Sequence, residues 1–425
     1  MASFSIPLTG LNADSTALNT IANNLANMST TAFKSQSTSF ADLFYQQVGS
    51  AGSGDPIQVG AGVKVASNTT DFSQGSISST GNATDVALNG SGFFVVGSGS
   101  GDYEYSRAGN FSLTSTGNLV TSDGLSVMGY PAVGGVVNTN APLSPITIPV
   151  GQVQQPQATT TMNLTVNLNA SSNAGTTFPG QVTVYDSLGV PHIATITFTE
   201  TAANTWSYSA ALPASDFASG VPTPVSGTLN FDSSGNLASI TSGGVTTPVG
   251  TAAGDVSSIP LSFTGLSDGA ADLNMNWNLL GAAGTSNISQ VNAASAVSST
   301  AQNGFAPGQY ESFNIGSDGT VTVTYSNGQK QNVGQLALAN VTNVQGMKKL
   351  GNGDYAATLA SGNASIGTSG SAGLGTLQDG ALEGSNVNIS AEFSNLIVAQ
   401  RAFEANSKAV TTFDTVTQET INMIH

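Results

Sequence analysis

Leu11-Asn12-Ala13-Asp14-Ser15-Thr16-Ala17-Leu18-Asn19-Thr20-Ile21-Ala22-Asn23-Asn24-Leu25-Ala26-Asn27-Met28 sets its leucines at every seventh position, with Ile21 and Met28 three places after Leu18 and Leu25. Apolar residues recurring at such intervals share one side of an α-helix, and here they form a coiled-coil-like seam. The far end repeats the pattern. Ile389, Leu396, Phe403 and Val410 are seven apart, Phe393 falls one turn after Ile389, and Phe413, Ile421 and Ile424 prolong the stripe. Burying one Leu, Ile or Phe is worth roughly 1.5–3 kcal/mol, so neither seam is stable facing water. These residues are expected to form a subunit interface, packing on helices of the same and of neighbouring copies. The first helix is expected from Asn12 to Met28, capped by Asn12, with Asp14 in its first turn and Ser29-Thr30-Thr31 ending it. The last, capped by Asn386 or Asn388, would run roughly 37 residues and about 55 Å, longer than one domain needs.

Composition narrows the function. The 425 residues suggest two to four domains. Only 8% are charged, the formal net charge is −16, and eight Lys and Arg are scattered without a basic patch. That excludes a nucleic-acid face, which needs clustered cations. Cysteine is absent, which removes disulfides, thiol nucleophiles and thiolate metal sites. No stretch reaches the roughly 20 apolar residues of a membrane span. The opening Met1-Ala2-Ser3-Phe4-Ser5-Ile6-Pro7-Leu8 has no basic region, so no cleaved secretory signal is expected. With His192 and His425 the only histidines, neither a zinc site nor a Ser-His-Asp triad is expected. The reading is of a protein without catalytic residues, metal ligands or cofactors.

Between the helices the pattern is of short strands, so the fold class is multidomain and mainly β with long α-helical termini. Phe40, Phe44 and Tyr45 suggest a short helix, and Asn89-Gly90 a tight turn joining strands Val86–Leu88 and Phe93–Val96. Pro142, Pro145, Pro149 and Pro156 mark a boundary. Beyond it Met162, Leu164, Val166 and Leu168 alternate with polar residues, as do Trp206, Tyr208, Ala210 and Leu212, which predicts a sandwich or barrel. Gly281 to Ala301 reads as a linker and hinge. The expected layout is nested: residues 1–32 with 385–425 form an inner helical domain, 33–75 with 360–384 a connector, 76–150 with 288–359 a first β-domain, and 151–287 an inserted outer β-domain.

Several segments resemble the rod and hook axial proteins of the bacterial flagellum. At the start these are Gly10-Leu11-Asn12-Ala13, Ile21-Ala22-Asn23-Asn24-Leu25-Ala26-Asn27 and Thr31-Ala32-Phe33-Lys34, with Phe33 where the family usually has Tyr. At the end they are Ala381-Leu382-Glu383-Gly384-Ser385-Asn386-Val387-Asn388 and Gln400-Arg401-Ala402-Phe403-Glu404-Ala405-Asn406. In the body, Asn303-Gly304-Phe305-Ala306-Pro307-Gly308, Tyr325-Ser326-Asn327-Gly328 and Asn343-Val344-Gln345-Gly346-Met347-Lys348-Lys349-Leu350-Gly351 resemble the hook members. The resemblance implies a subunit exported by the flagellar type III apparatus that polymerises into a hollow helical tube outside the cell and passes torque as a flexible joint. It implies partners among the distal rod, the hook cap, the hook–filament junction proteins and the export apparatus. On a helical wheel Ser394, Arg401, Lys408 and Thr415 fall opposite Ile389 to Val410 and are expected to face the channel. The rival readings are a distal rod protein, which lacks an inserted domain, and a secreted β-sandwich adhesin, which has no use for apolar terminal helices.

Overall fold

The alternation at Met162, Leu164, Val166 and Leu168 becomes the strand Thr161–Asn169, with every second side chain buried. This follows from the period of two that sends successive side chains to opposite faces of a sheet. The structure is a computed structural model describing residues 5–50, 52, 56–97, 102–218, 223–281 and 284–423. It divides into two units, one of Met1–Val150, Ser312–Thr324 and Lys330–His425, the other of Gly151–Glu311 and Tyr325–Gln329.

The second unit is a β-sandwich. One sheet is antiparallel, in the order Thr177–Tyr185, Pro191–Ala202, Thr205–Ala211, Val225–Phe231, Leu237–Ser242, Val245–Pro248. In the other, Thr161–Asn169 lies parallel to Leu273–Asn278 and Ile288–Val291 and antiparallel to Ala296–Gln302. Inner faces of both sheets share one core, where Trp277 meets Tyr208 and Phe198 edge-on at 5.6 and 6.0 Å between ring centroids. The stretch expected as a hinge, Gly281 to Ala301, instead supplies two of these strands. Ile288 and Gln290 alternate inward there, and ladder bonds to Thr161–Asn169 satisfy the backbone. A neck closes the unit, with Gln157 and Phe305 exchanging backbone hydrogen bonds of 3.1 and 2.9 Å.

In the first unit a sheet runs in the order Thr320–Tyr325, Lys330–Leu336, Ser126–Val133, Phe93–Gly97, Tyr103–Ser106, Asp354–Ala356, Lys348–Gly351. Phe93, Tyr105, Met128 and Tyr355 lie in its core, and the Phe72 ring packs on Phe93 and Tyr355. Asn89-Gly90 does not close a hairpin. Val86–Asn89 pairs with Thr376–Asp379, from near the other end of the chain. The reason is burial: Val86, Ala87 and Leu88 are all covered, and the carbonyls of Gly90 and Gly92 turn aside to accept hydrogen bonds from Arg107. Phe40, Phe44 and Tyr45 form no helix either. Gln36–Asp42 pairs with Val63–Thr70, and Gln46–Ser50 with Pro56–Val59.

Two helices complete this unit, α1 (Ser5–Ala26) and α2 (Ile389–Asn422). α1 starts earlier than the expected Asn12. Pro7 suits a first turn, where its missing N–H is no loss, and Gly10 is tolerated inside because α2 packs against it: a Cβ there would lie 2.7 Å from Asn406 Nδ2. Asn12 is therefore interior and exposed rather than a cap. α2 is capped by Asn388, whose side chain accepts from the Ala391 N–H at 3.1 Å. The helices are antiparallel: Asn24 Nδ2 donates to Glu392 Oε1 at 2.9 Å near one end, and Asn406 Nδ2 to Asp14 Oδ2 at 2.8 Å near the other.

Because both tryptophans, Trp206 and Trp277, lie in the sandwich core, their fluorescence reports the second unit alone. Leu164→Ala is expected to lower its unfolding free energy by about 2–5 kcal/mol in a urea titration so monitored. A change within the ~0.5 kcal/mol of an ordinary surface substitution would mean the two sheets do not share a close-packed core.

Candidate functional site

Three motif segments converge where the chain's ends meet. Asn24 is fully buried and ties α1 to the strand that follows it: its Oδ1 accepts from the Gln36 N–H at 2.9 Å and its Nδ2 donates to the Gln36 carbonyl at 2.7 Å. Between them Ala32 takes a left-handed φ of 54°, a conformation L-residues avoid, and donates its N–H to the Glu383 carbonyl at 2.8 Å. The turn delivers Lys34 to the interior. Chain arriving from the other end pairs as Ala381–Glu383 with Ile77–Ser79 and delivers Glu383 to the same place.

Lys34, Arg107 and Glu383 are all buried there. Lys34 Nζ donates to Glu383 Oε1 and to the Ser73 carbonyl, both at 2.7 Å. Arg107 Nε donates to Glu383 Oε2 at 3.0 Å, and its two terminal nitrogens go to the carbonyls of Gly92 and Gly90 at 2.5 and 2.6 Å. The Gly75 N–H adds a 2.8 Å bond to Glu383 Oε1. Gly75 has to be glycine, since a Cβ would collide with the Gly384 carbonyl. Burial pushes the Lys34 ammonium below its ordinary pKa, and the hydrogen bond it donates to Glu383 opposes that. One carboxylate thus serves two cations, and backbone carbonyls take the remaining donors. Asn386 finishes the seam, donating to the Asp71 and Ser73 carbonyls at 2.9 and 3.1 Å and accepting from the Ser35 N–H at 2.8 Å.

On the helices, Leu11, Leu18, Ile21 and Leu25 are half-buried, as are Leu396, Phe403, Val410 and Phe413, whereas Met28, Ile389, Phe393 and Ile421 are exposed. Ile424 lies outside the described residues. The deepest positions of α1 are Pro7, Ala13, Thr20 and Asn24 rather than the leucines. This is because α1 also packs on the sheet beside it, where Thr20 meets Thr38 at 2.9 Å. Ser394, Arg401, Lys408 and Thr415 are all exposed, and Arg401 pairs with Glu404 at 3.2 Å. Ile397 sits between Ser394 and Arg401 on that face and is also exposed.

A second seam on α2 escaped the sequence reading. Val398, Ala402, Ala405, Ala409, Val416 and Met423 fall at steps of three, four or seven along one side of α2, with Val398 69%, Val416 54% and Met423 80% exposed and Ala402 and Ala409 half-buried. Alanine at half the positions hides it from a search for large apolar residues, although the heptad spacing was there to find. The last stretch of α2, residues 414–422, is exposed all round.

Nothing in this site is arranged to react; it joins and presents helices, as in structural proteins of the flagellar axis. Four family descriptions match in chain order: flagella basal body rod protein over residues 6–34, flagellar hook protein FlgE/F/G D1 domain over 87–169, flagellar basal body protein FlaE D2 domain over 159–305, and flagellar basal body rod FlgEFG protein C-terminal over 378–423. The flagellar hook protein FlgE of Salmonella typhimurium is 38% identical, the alignment covering 99% of this chain and 100% of that one. That of Treponema pallidum is 34% identical over 98% of each. In fold, the crystal structure of the Helicobacter pylori flagellar hook protein FlgE2 superposes with a TM-score of 0.54 at 16% identity, covering 72% of this chain and all of that one. The chain belongs to the flagellar hook protein FlgE family. It is a structural subunit of the hook, not an enzyme.

Removing one partner of a buried charge group leaves the others unpaired, at a cost of about 3–5 kcal/mol. Glu383→Ala is accordingly expected to destabilise the first unit by that amount in urea unfolding followed by circular dichroism at helical wavelengths. A loss below ~1 kcal/mol, the median worth of a surface pair, would refute the role given to the buried carboxylate.

Proposed function

We propose that this chain builds the hook as a hollow helical tube whose inner wall is made of α1 and α2. The observation that carries this is the second seam: along it Val398, Ala405, Val416 and Met423 are exposed, and on another side of α2 Phe393 and Ile389 are exposed too. Two apolar flanks on one helix call for two neighbours. Identical subunits joined by such head-to-tail contacts, without closing a ring, give an open helical assembly. The stripe of Ser394, Arg401, Lys408 and Thr415 lies between the flanks and, in this reading, borders the channel, with Ile397 the one apolar residue among them. Leu11, Leu18, Ile21, Leu25, Leu396, Phe403, Val410 and Phe413 hold the α1–α2 pair, while Met28, Ile421 and Ile424 reach adjacent copies.

The layers follow from chain order: terminal helices inside, then the connector, the first β-domain, and the inserted sandwich outermost. A sandwich surface of Ser, Thr, Asn and Gly has few ion pairs to break when subunits slide, which suits a joint that bends as it turns. Travel through the flagellar export apparatus and contact with the distal rod, the hook cap and the junction proteins complete the proposal, and rest on the family.

Val398→Asp with Val416→Asp is expected to abolish tube formation in electron micrographs of concentrated protein while leaving the melting temperature of the dilute monomer within about 2 °C, as for exposed positions. Tubes formed by the double variant would refute the interface. Since Gln157 and Phe305 adjoin at the neck, residues 159–305 can be excised and the ends joined. The shortened chain is expected to assemble into tubes of altered curvature, and failure to assemble would count against an outermost sandwich.

A further inference from the structure

His192, at the start of the strand Pro191–Ala202, is buried with carboxylates at both ring nitrogens. Nδ1 lies 2.8 Å from Asp216 Oδ2 and Nε2 lies 3.1 Å from Asp186 Oδ2, with Asp268 Oδ2 3.9 Å from Nε2. Asp186 is itself tightly held: its Oδ1 accepts the backbone N–H of Leu188 at 2.8 Å and of Val190 at 2.9 Å, closing the turn before the strand. Burial opposes ionisation of Asp186, but the hydrogen bonds it shares with Asp268 and His192 and accepts from those two amides outweigh it and keep the carboxyl below its ordinary pKa.

An ionised carboxylate only accepts hydrogen bonds. A neutral imidazole donates from one nitrogen, so it would turn the lone pair of the other onto Asp186 or Asp216. Both distances are hydrogen bonds when both nitrogens carry protons. Asp186, Asp216 and Asp268 are the ionisable groups facing the ring, all of them carboxyls. Each belongs to a different segment. Asp186 heads the turn, Asp216 ends the short helix Ala214–Asp216, and Asp268 follows Leu266 in a loop. The last two are stitched together by Ser267 N–H to the Asp216 carbonyl at 2.9 Å, and the loop reaches the turn through Ala271 N–H to Ser187 Oγ at 3.0 Å.

We propose that His192 is an imidazolium clasp which holds these three surface segments of the sandwich together and releases them as the pH rises. Burial disfavours the charged ring, but Asp216 and Asp186 outweigh it, so its folded pKa stands above the ordinary 6.5. A raised folded pKa makes the stabilisation complete below the unfolded value and lost as the pH climbs through the folded one. The clasp is therefore fully closed in mildly acidic medium and opens as the pH climbs through the raised folded pKa. It stands apart from the assembly reading, because it concerns the sandwich alone.

With only two histidines in the chain, nuclear magnetic resonance of the full-length protein carrying isotope-labelled histidine resolves the question. His192 is expected to carry both ring protons at its acid limit and to titrate with a midpoint above 6.5, with Asp216→Asn moving that midpoint down. Amide exchange at Leu188, Val190 and Ser267, corrected for intrinsic rates, should become several-fold faster above that midpoint. A wild-type midpoint at or below 6.5 overturns the clasp, whatever the variant does. So does displacement of the ring signals by added Zn²⁺ at neutral pH, which would mark Asp186, His192 and Asp268 as a cation site.

Discussion

Everything in the first unit hangs on a single carboxylate shared by two cations. Glu383 comes from the C-terminal end of the chain, Lys34 from near the N-terminus and Arg107 from the first β-domain, so their meeting closes the long excursion between the helices. A buried group of this kind is weak as a source of net stability, because desolvation cancels most of the attraction. Its value is geometric. Unpaired buried charges are so unfavourable that only the native docking of the two ends is tolerated, and that docking sets where α1 and α2 start relative to each other.

From that constraint the helical pair follows. Antiparallel packing covers the half-buried leucines, and the polar ties from Asn24 to Glu392 and from Asn406 to Asp14 set its register. α2 is the longer helix, so its final turns extend past the start of α1 among the described residues, and Val398, Val416 and Met423 of its second seam stay exposed. An isolated subunit is thereby left with a line of exposed apolar residues along α2, besides Ile6 and Leu8 on α1. The family's role as hook subunits and this unfinished packing are two views of the same property.

The inserted sandwich obeys different physics. Its core is closed, with both tryptophans and the alternating strands buried within one unit, so it makes no comparable demand for a neighbour. Its ordering at the turn beside His192 depends on protonation rather than on apolar area, which leaves its surface free to be small, neutral and polar.

The terminal helices, the alternating strands of the sandwich and the absence of catalytic chemistry were legible in the residues, because helix and strand periods depend on local geometry. The motif Thr31 to Lys34 and its counterpart Ala381 to Asn388 were visible as signatures, yet their purpose was not. Lys34, Arg107 and Glu383 are far apart in the chain, and nothing local says that one carboxylate will meet both cations. The stretch Gly281 to Ala301 reads as a linker because Ala, Ser and Thr carry little apolar signal, and only pairing with Thr161–Asn169 makes strands of it. Asn89-Gly90 failed as a hairpin for the reverse reason: Arg107 claims the carbonyls around it. Apolar spacing was enough to place the two terminal helices and the alternating strands of the sandwich, since those follow from local geometry. The tertiary structure alone decided which distant charges share a site, which seam α1 covers and which it leaves open, because these depend on how non-local segments compete for the same buried partners.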